Sequence, residues 1–463
     1  MGKVPFGSAE GIFGLTAVIV APEVLFSSRK VMHLLTSKPW RAVATTNSTE
    51  KALVACTHES FGILAHCGLL FLWFAASATG IADTSVTNRP PKRESGWFYI
   101  HDEVPKVPWS IHIFRIERSH RELEFCTTLG QGRTLGMSTV SEQIKSLAPE
   151  LGQPIAAING DFYNKHEGYP GDPRDLQIHQ GELVSSPAGH ACFWIDAAGN
   201  PQMTNIVSRL RVIWPDGTAT PLGLNEARPD DGAVLYTSAM GTSTHTSDGI
   251  EMILASATNS AWLPLQAGRI YRAVVREVRR AGDTRLSVNS PVLSIGPDLV
   301  SRLPQSGQHT ILRIATETVP DLTGVKTAVG GGPTLVRDGN AMEWHGFQMR
   351  HPRTAIGWNR DFIFMVEVDG RQSDLSVGMT LPELAAYMIK LGCEQAINLD
   401  GGGSATLWVC GNVMNSPSEG QERPGANALV LVQHRDDAAR SSDPRHVAVR
   451  NGVLAPGRPS AQD

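Results

Sequence analysis

The sequence predicts an α+β fold: a mixed β-rich domain with a C-terminal βαβ unit and helices packed on the sheet. Three observations lead there. The 463-residue chain holds 45 Gly and 29 Pro, a density of turn formers that argues against a long helical bundle. Residues 170–305 are dense in short apolar runs split by turn signals such as Pro215-Asp216-Gly217 and Pro229-Asp230-Asp231-Gly232, the pattern of a meandering sheet. Residues 362–400 read as strand, helix and strand in succession.

Taken in order, residues 61–76 are almost purely apolar apart from His66 and run into the small residues Ala76-Ser77-Ala78. They read as the h-region of a signal peptide and are shorter than the roughly 20 apolar residues of a membrane span. Residues 1–82 are therefore expected to be a leader, its unusual length explained by a start codon placed too far upstream. The expected product is exported, periplasmic or secreted, with no stable membrane span in the mature chain. A retained N-terminal membrane anchor is the alternative. Residues 83–95, with Pro90-Pro91 and mixed charge, form a linker, and periodic sequence begins at Trp97. The folded domain is expected over 96–433, and the aperiodic tail 434–463 is expected to be disordered.

Within the domain, residues 111–116 and 123–127 alternate like strands, and 140–151 have helical spacing up to a stop at Gly152. A strand over 155–158 follows. Residues 362–368 form another strand, and 381–391 form a helix with Leu381, Leu384, Ala385, Met388 and Leu391 on one face. Thr380 with Glu383 makes a capping box and Gly392 a stop. Residues 395–399 are the second strand of this unit. Such a βαβ crossover makes the two strands parallel, so Asp369 and Asp400, each just past a strand end, emerge at one sheet edge. As neighbours their backbones would lie about 5 Å apart, close enough for paired carboxylates.

Composition narrows the function. Charged residues are 19% of the chain and the net charge is −4, so no basic field is available for a nucleic-acid backbone. The cysteines at 56, 67, 126, 192, 393 and 410 show no CxxC and no metal-ligand spacing with histidine, which disfavours zinc. In an oxidising compartment Cys126, Cys192, Cys393 and Cys410 allow up to two disulfides; buried free thiols fit equally well.

Asn398-Leu399-Asp400-Gly401-Gly402-Gly403-Ser404 ends a strand with a carboxylate and opens a loop without side chains. Its glycines permit positive φ and close approach of a ligand to backbone N–H groups, as in a phosphate nest, although a tight turn has the same composition. Gly330-Gly331-Gly332-Pro333 is a second such loop. Arg353, in His351-Pro352-Arg353, and Arg371, in Asp369-Gly370-Arg371, carry the planar fork suited to phosphate. A structural ion pair is the other reading of each. Asn159 and Asp161 follow the 155–158 strand, where they could meet sugar hydroxyls or simply form a turn. Arg423 and Asn427 lie past the Gly401–Ser404 loop.

The ordered set Asn159-Gly160-Asp161-Phe162, Gly331-Gly332-Pro333, Arg353-Thr354-Ala355-Ile356-Gly357, Asp369-Gly370-Arg371 and Asn398 to Ser404, followed by Arg423 and Asn427, resembles the phosphodiester glycosidase domain family. That resemblance implies a mixed α+β fold and hydrolysis of a sugar–phosphate bond; it does not supply the substrate, for which a sugar-1-phosphodiester in a glycoconjugate or exopolysaccharide is the expectation. Where many relatives have a second glycine after Asn-Gly, this chain has Asp161. On this reading Asp400 and Asp369 act as base, nucleophile or stabiliser, and Arg353 grips phosphate. Asn159, Asp161, Gly331, Gly332, His351, Arg371, Gly401, Gly402, Gly403, Ser404, Arg423 and Asn427 bind substrate. Ca²⁺ or Mg²⁺ held by aspartates would also neutralise phosphate. The alternative is a non-catalytic exported protein that binds anionic polysaccharide.

Overall fold

The computed structural model describes residues 96–434, apart from 166–167, 259–261 and 305. The h-region at 61–76, the linker at 83–95 and the tail from 435 onward lie outside the described residues. Among the described residues no helix is long and apolar enough to cross a membrane.

The fold is not α+β with helices layered on a sheet, as the sequence predicts. It is strongly β-rich, built from sheets of seven, twelve and five strands. The described α-helices are Val140–Lys145, Pro297–Val300 and Leu381–Lys390. The first is half the expected length for a local reason. Pro149 bars the helical conformation from the residue before it, and Ala148 is extended at ψ 128°. The chain continues as a 3-10 turn over Pro149–Leu151.

In the seven-stranded sheet the order is Trp97–Val104, Trp109–Glu117, Phe362–Val368, Arg353–Trp358, Gln395–Asn398, Thr334–Arg337 and Asn340–Ala341. The Arg353–Trp358 strand pairs antiparallel with both Phe362–Val368 and Gln395–Asn398. Those two strands are therefore parallel, as the crossover requires, but they are not neighbours. The crossover helix Leu381–Lys390 carries the Thr380–Glu383 capping box. It buries Leu384, Ala385, Tyr387 and Met388 in a cluster with Leu335, Ala355 and Val366 of the sheet. Because one strand intervenes, the backbones leading to Asp369 and Asp400 stand two strand spacings apart, about 9.5 Å, instead of 5 Å.

On its other face this sheet packs against the five-stranded sheet. Phe114, Ile356, Met365 and Ile397 meet Ile158, Leu407, Leu429 and Leu431 in one apolar cluster. The twelve-stranded sheet surrounds a core of its own, which includes Ile178, Leu183, Leu224, Leu235, Leu254 and Ile314. Its end strands are Gly223–Leu224 and Glu182–Ser185. Asn225 donates from Nδ2 to the carbonyl of Val184 at 2.8 Å, so the sheet curls until its ends nearly meet, a barrel-like form that satisfies edge groups. Cys126, Cys192 and Cys393 are buried free thiols.

Candidate active site

The carboxyl edge of the seven-stranded sheet collects most of the expected residues. Arg353 opens its strand opposite Val368, and Ala355 pairs with Asn398. The register therefore sets Arg353 between the strand ends that carry Asp369 and Asp400. The glycine loop folds back over Arg353's strand: the Gly402 N–H donates to the carbonyl of Pro352 at 2.9 Å. A side chain on Gly401 would stand 2.7 Å from that same carbonyl.

Asp400 is partly buried and accepts the Gly401 N–H at 2.9 Å. Burial raises its pKa above the ordinary carboxylate value, and Arg423 and Lys165 pull the other way. The Ser404 hydroxyl faces Asp400 and Tyr163 without a hydrogen bond of normal geometry to either. Tyr163 carries the Lys165 ammonium 5.6 Å from its ring centre. Tyr163, Lys165 and Glu419, which the sequence reading does not single out, thus complete the surroundings of Asp400. Arg423 pairs with Glu419.

The two remaining arginines are different. Arg353 donates Nε to the carbonyl of Met379 at 2.8 Å and Nη2 to that of Met349 at 3.1 Å. Arg371 is exposed, left-handed at φ 62°, and within 3.3 Å of the His351 Nδ1. Among the described residues no carboxylate forms an ion pair with either. Burial, then Arg371, brings the Arg353 pKa down to about 10. Burial, then both arginines, lowers that of His351. Like charges held together with no ion-paired carboxylate favour an anion in their midst. Arg353→Lys keeps the charge but loses the fork and at least one backbone bond. It is expected to lower kcat/KM about tenfold or more and stability by about 1 kcal/mol, read by kinetics and thermal unfolding.

Several expected residues are turned into the protein. Asp369 is 1% exposed and accepts from the Ser110 hydroxyl at 2.8 Å and the Ser416 N–H at 2.7 Å, with His112 Nε2 at 3.0 Å. Asn159 donates to the Asp400 carbonyl at 2.6 Å and accepts from the Thr354 hydroxyl and the Thr406 N–H. Asn427 accepts the Asp161 N–H and donates to Gln177. Asp161 is buried beside Gly330. One of its oxygens takes the Asp175 N–H at 2.8 Å and the other lacks a partner. Burial raises its pKa well above the carboxylate range. Gly331 accepts from Arg174, and Gly332 exchanges two hydrogen bonds with Asn398. These residues brace the strand ends and the second glycine loop. A cleft of about 1170 Å³ lined by Arg118, Arg121, Asp196 and Arg360 opens at the opposite edge of the sheet, away from this chemistry.

The phosphodiester glycosidase family profile matches residues 286–432. The SPbeta prophage-derived uncharacterized protein YomE of Bacillus subtilis (strain 168) is 33% identical over 135 residues, covering 28% of this chain and 20% of that protein. The Bos taurus N-acetylglucosamine-1-phosphodiester alpha-N-acetylglucosaminidase is 31% identical over 174 residues, covering 35% of this chain and 32% of the relative. The chain thus spans a fifth to a third of the length of these curated relatives. A hypothetical protein from Synechocystis shares the fold, with a TM-score of 0.58 at 18% identity, covering 73% of this chain and 62% of the other. The stretch similar to the phosphodiester glycosidase family, 286–432, holds Arg353, Arg371, Asp400, Arg423 and both glycine loops.

Proposed function

We propose that this chain is an exported glycosidase that hydrolyses the bond between a sugar's anomeric carbon and the phosphate of a sugar-1-phosphodiester. The observation that carries the reading is the arginine pair Arg353 and Arg371, which lacks carboxylate partners and stands beside the loop that opens on Asp400. An anionic phosphodiester would supply an ion-paired partner to both. Arg371 lies against Gly402, where even a Cβ would come within 2.9 Å of its Nη2, so a phosphate held by the arginines can also reach loop N–H groups.

As the glycosidic bond breaks, positive charge grows at the anomeric carbon and negative charge on the departing phosphate. The arginines stabilise the second charge. Asp400 stabilises the first, either directly or by taking the proton of the attacking water. A phosphate monoester departs readily, so little acid assistance is needed. Asp369, enclosed by Ser110, His112 and Ser416, serves in this reading to hold the Gly370-Arg371 corner. Export rests on the apolar segment at 61–76, and a glycoconjugate or exopolysaccharide is the matching substrate class.

The test gives the full-length protein a sugar-1-phosphate methyl diester and the p-nitrophenyl glycoside of the same sugar. Free sugar and methyl phosphate from the first, with little turnover of the second, is expected. Tight binding of anionic glycan without turnover across a panel of sugars would reject catalysis. The pH dependence is a second check. Catalysis needs ionised Asp400, so kcat/KM should fall as pH drops through a pKa above 3.8. Arg423 lowers that pKa, so Arg423→Gln should move the acid limb of the profile to higher pH. An unmoved limb would detach it from Asp400.

A further inference from the structure

Behind the candidate active site, the face of the seven-stranded sheet that meets the five-stranded sheet changes from apolar to polar. In the strand FIFMVEV the inward positions run Phe362, Phe364, Val366 on one side and Ile363, Met365, Glu367 on the other, and Glu367 ends the apolar series with a carboxyl group at 0% exposure. Directly across the ladder from it sits His112, 4% exposed. Asp369, two residues along, turns to the same face. His112, Glu367 and Asp369 each offer a ligand atom within 4.8 Å of the other two.

Neither oxygen of Glu367 has a hydrogen-bond partner of normal geometry. The Asn415 amide lies near enough to favour the charged form slightly, but it already serves the Ala405 carbonyl and the Leu407 N–H. A buried carboxylate without partners is strongly disfavoured, and a second carboxylate beside it disfavours it further. A carboxyl group aimed at an imidazole and another carboxylate in the core needs a proton or a cation.

We infer that His112, Glu367 and Asp369 bind a divalent transition-metal ion, Zn²⁺ or Mn²⁺. One nitrogen and two carboxylate oxygens form a three-ligand set suited to these borderline ions, and two negative charges balance the ion's two positive ones. Ligand atoms about 2.1 Å from such an ion stand roughly 3.4 Å from one another, in keeping with the observed spread. The surrounding groups fit. Tyr99 Oη lies 2.7 Å from His112 Nδ1, so Nδ1–H donating to Tyr99 leaves the Nε2 lone pair for the ion. Ser110 donates to Asp369 at 2.8 Å and lies 2.9 Å from His101 Nε2. His101 is exposed and stacks on His112 with ring centres 4.4 Å apart, which gives the ion a short path from solvent. The ion ties the Trp109–Glu117 strand to Phe362–Val368 beneath the Asp369–Arg371 corner. It does not depend on the sugar-phosphodiester reading.

The experiment uses the full-length protein, stripped with chelator and then titrated separately with Zn²⁺, Mn²⁺, Ca²⁺ and Mg²⁺, reading bound metal by mass spectrometry and melting temperature. One equivalent of Zn²⁺ or Mn²⁺ with a rise in melting temperature is expected, with weaker binding of Ca²⁺ and Mg²⁺. Tyr99→Phe should weaken binding about tenfold and Glu367→Gln by about a hundredfold or more, since outer partners alone are worth ~10–100-fold. Glutamine copies a protonated glutamate. If Glu367→Gln binds metal as wild type does, or if wild type binds none, Glu367 is a neutral buried acid and the inference fails. Should that variant not fold, Co²⁺ added to wild type decides the matter: visible d–d absorption from nitrogen and oxygen ligands supports the site, and its absence overturns it.

Discussion

Replacing Asp400 by Asn is expected to lower turnover of a sugar-1-phosphodiester by about 10²-fold or more while leaving the melting temperature unchanged or slightly higher. The two readouts separate because the side chain's structural and chemical roles differ. Structurally it accepts the Gly401 N–H at 2.9 Å, which an asparagine oxygen can also do, so the loss of a turn contact is limited to about 1 kcal/mol. The charge, by contrast, is held at a cost: burial raises the carboxyl pKa in the folded state. The native state therefore holds its proton to a higher pH than the unfolded chain, and this group's contribution to stability falls as pH rises above 3.8. Asparagine removes that cost and with it the charge that acts on the anomeric carbon or its water. Near-normal turnover, or a melting-temperature collapse large enough to account for the lost activity, would remove Asp400 from the centre of the mechanism.

Gly402→Val is expected to reduce kcat/KM about tenfold to a hundredfold, with a smaller loss of stability. Gly402 is left-handed at φ 63°, a region that a β-branched residue enters at a cost of roughly 1–3 kcal/mol. Its Cβ would also press within 2.9 Å of Arg371 Nη2, moving the guanidinium that in the proposed reading grips the phosphate. Gly411→Val supplies the control. Gly411 is also at positive φ, 100°, but a Cβ there meets nothing within 4 Å. It should lose stability and keep activity. Equal losses of activity in the two variants, after matching for folded fraction, would mean that backbone strain alone explains Gly402.

The elements that sequence reads well are those whose signals are local. Leu123–Thr127 and Phe362–Val368 follow from alternation and apolar runs, and Leu381–Lys390 from its Thr380–Glu383 box and the Gly392 stop. What escapes is non-local. A crossover shows that two strands are parallel, but it does not show that Arg353–Trp358 inserts between them, and that insertion alone doubles the spacing of the two aspartate-bearing backbones. The same limit explains the fold class. Helical periodicity over 140–151 suggests a packed helix until Pro149 cuts it short, and nothing in residues 170–305 reveals that their strands curl into one sheet whose ends nearly meet at Asn225 and Val184. For the candidate site, the sequence singles out the arginines and glycine loops because phosphate recognition would favour those residue types. The surroundings of Asp369 are not legible: its partners His112 and Ser110 lie 257 and 259 residues away. A signal for that cluster does exist in the sequence, in the polar residues Ser110, His112 and Glu367 at core-facing positions of otherwise apolar strands.

The central claim is that the chain breaks the bond on the sugar side of the phosphodiester, as a glycosidase does, and the position of solvent oxygen in the products tests it most directly. The full-length protein turns over a sugar-1-phosphate methyl diester in ¹⁸O-labelled water, and both products are examined by mass spectrometry. Attack at the anomeric carbon, with the arginines holding a phosphate that leaves intact, places the label on the anomeric hydroxyl of the free sugar and none in the methyl phosphate. Label in the phosphate would show attack at phosphorus and would contradict the assignment of Arg353, Arg371 and Asp400 to a glycosidase site.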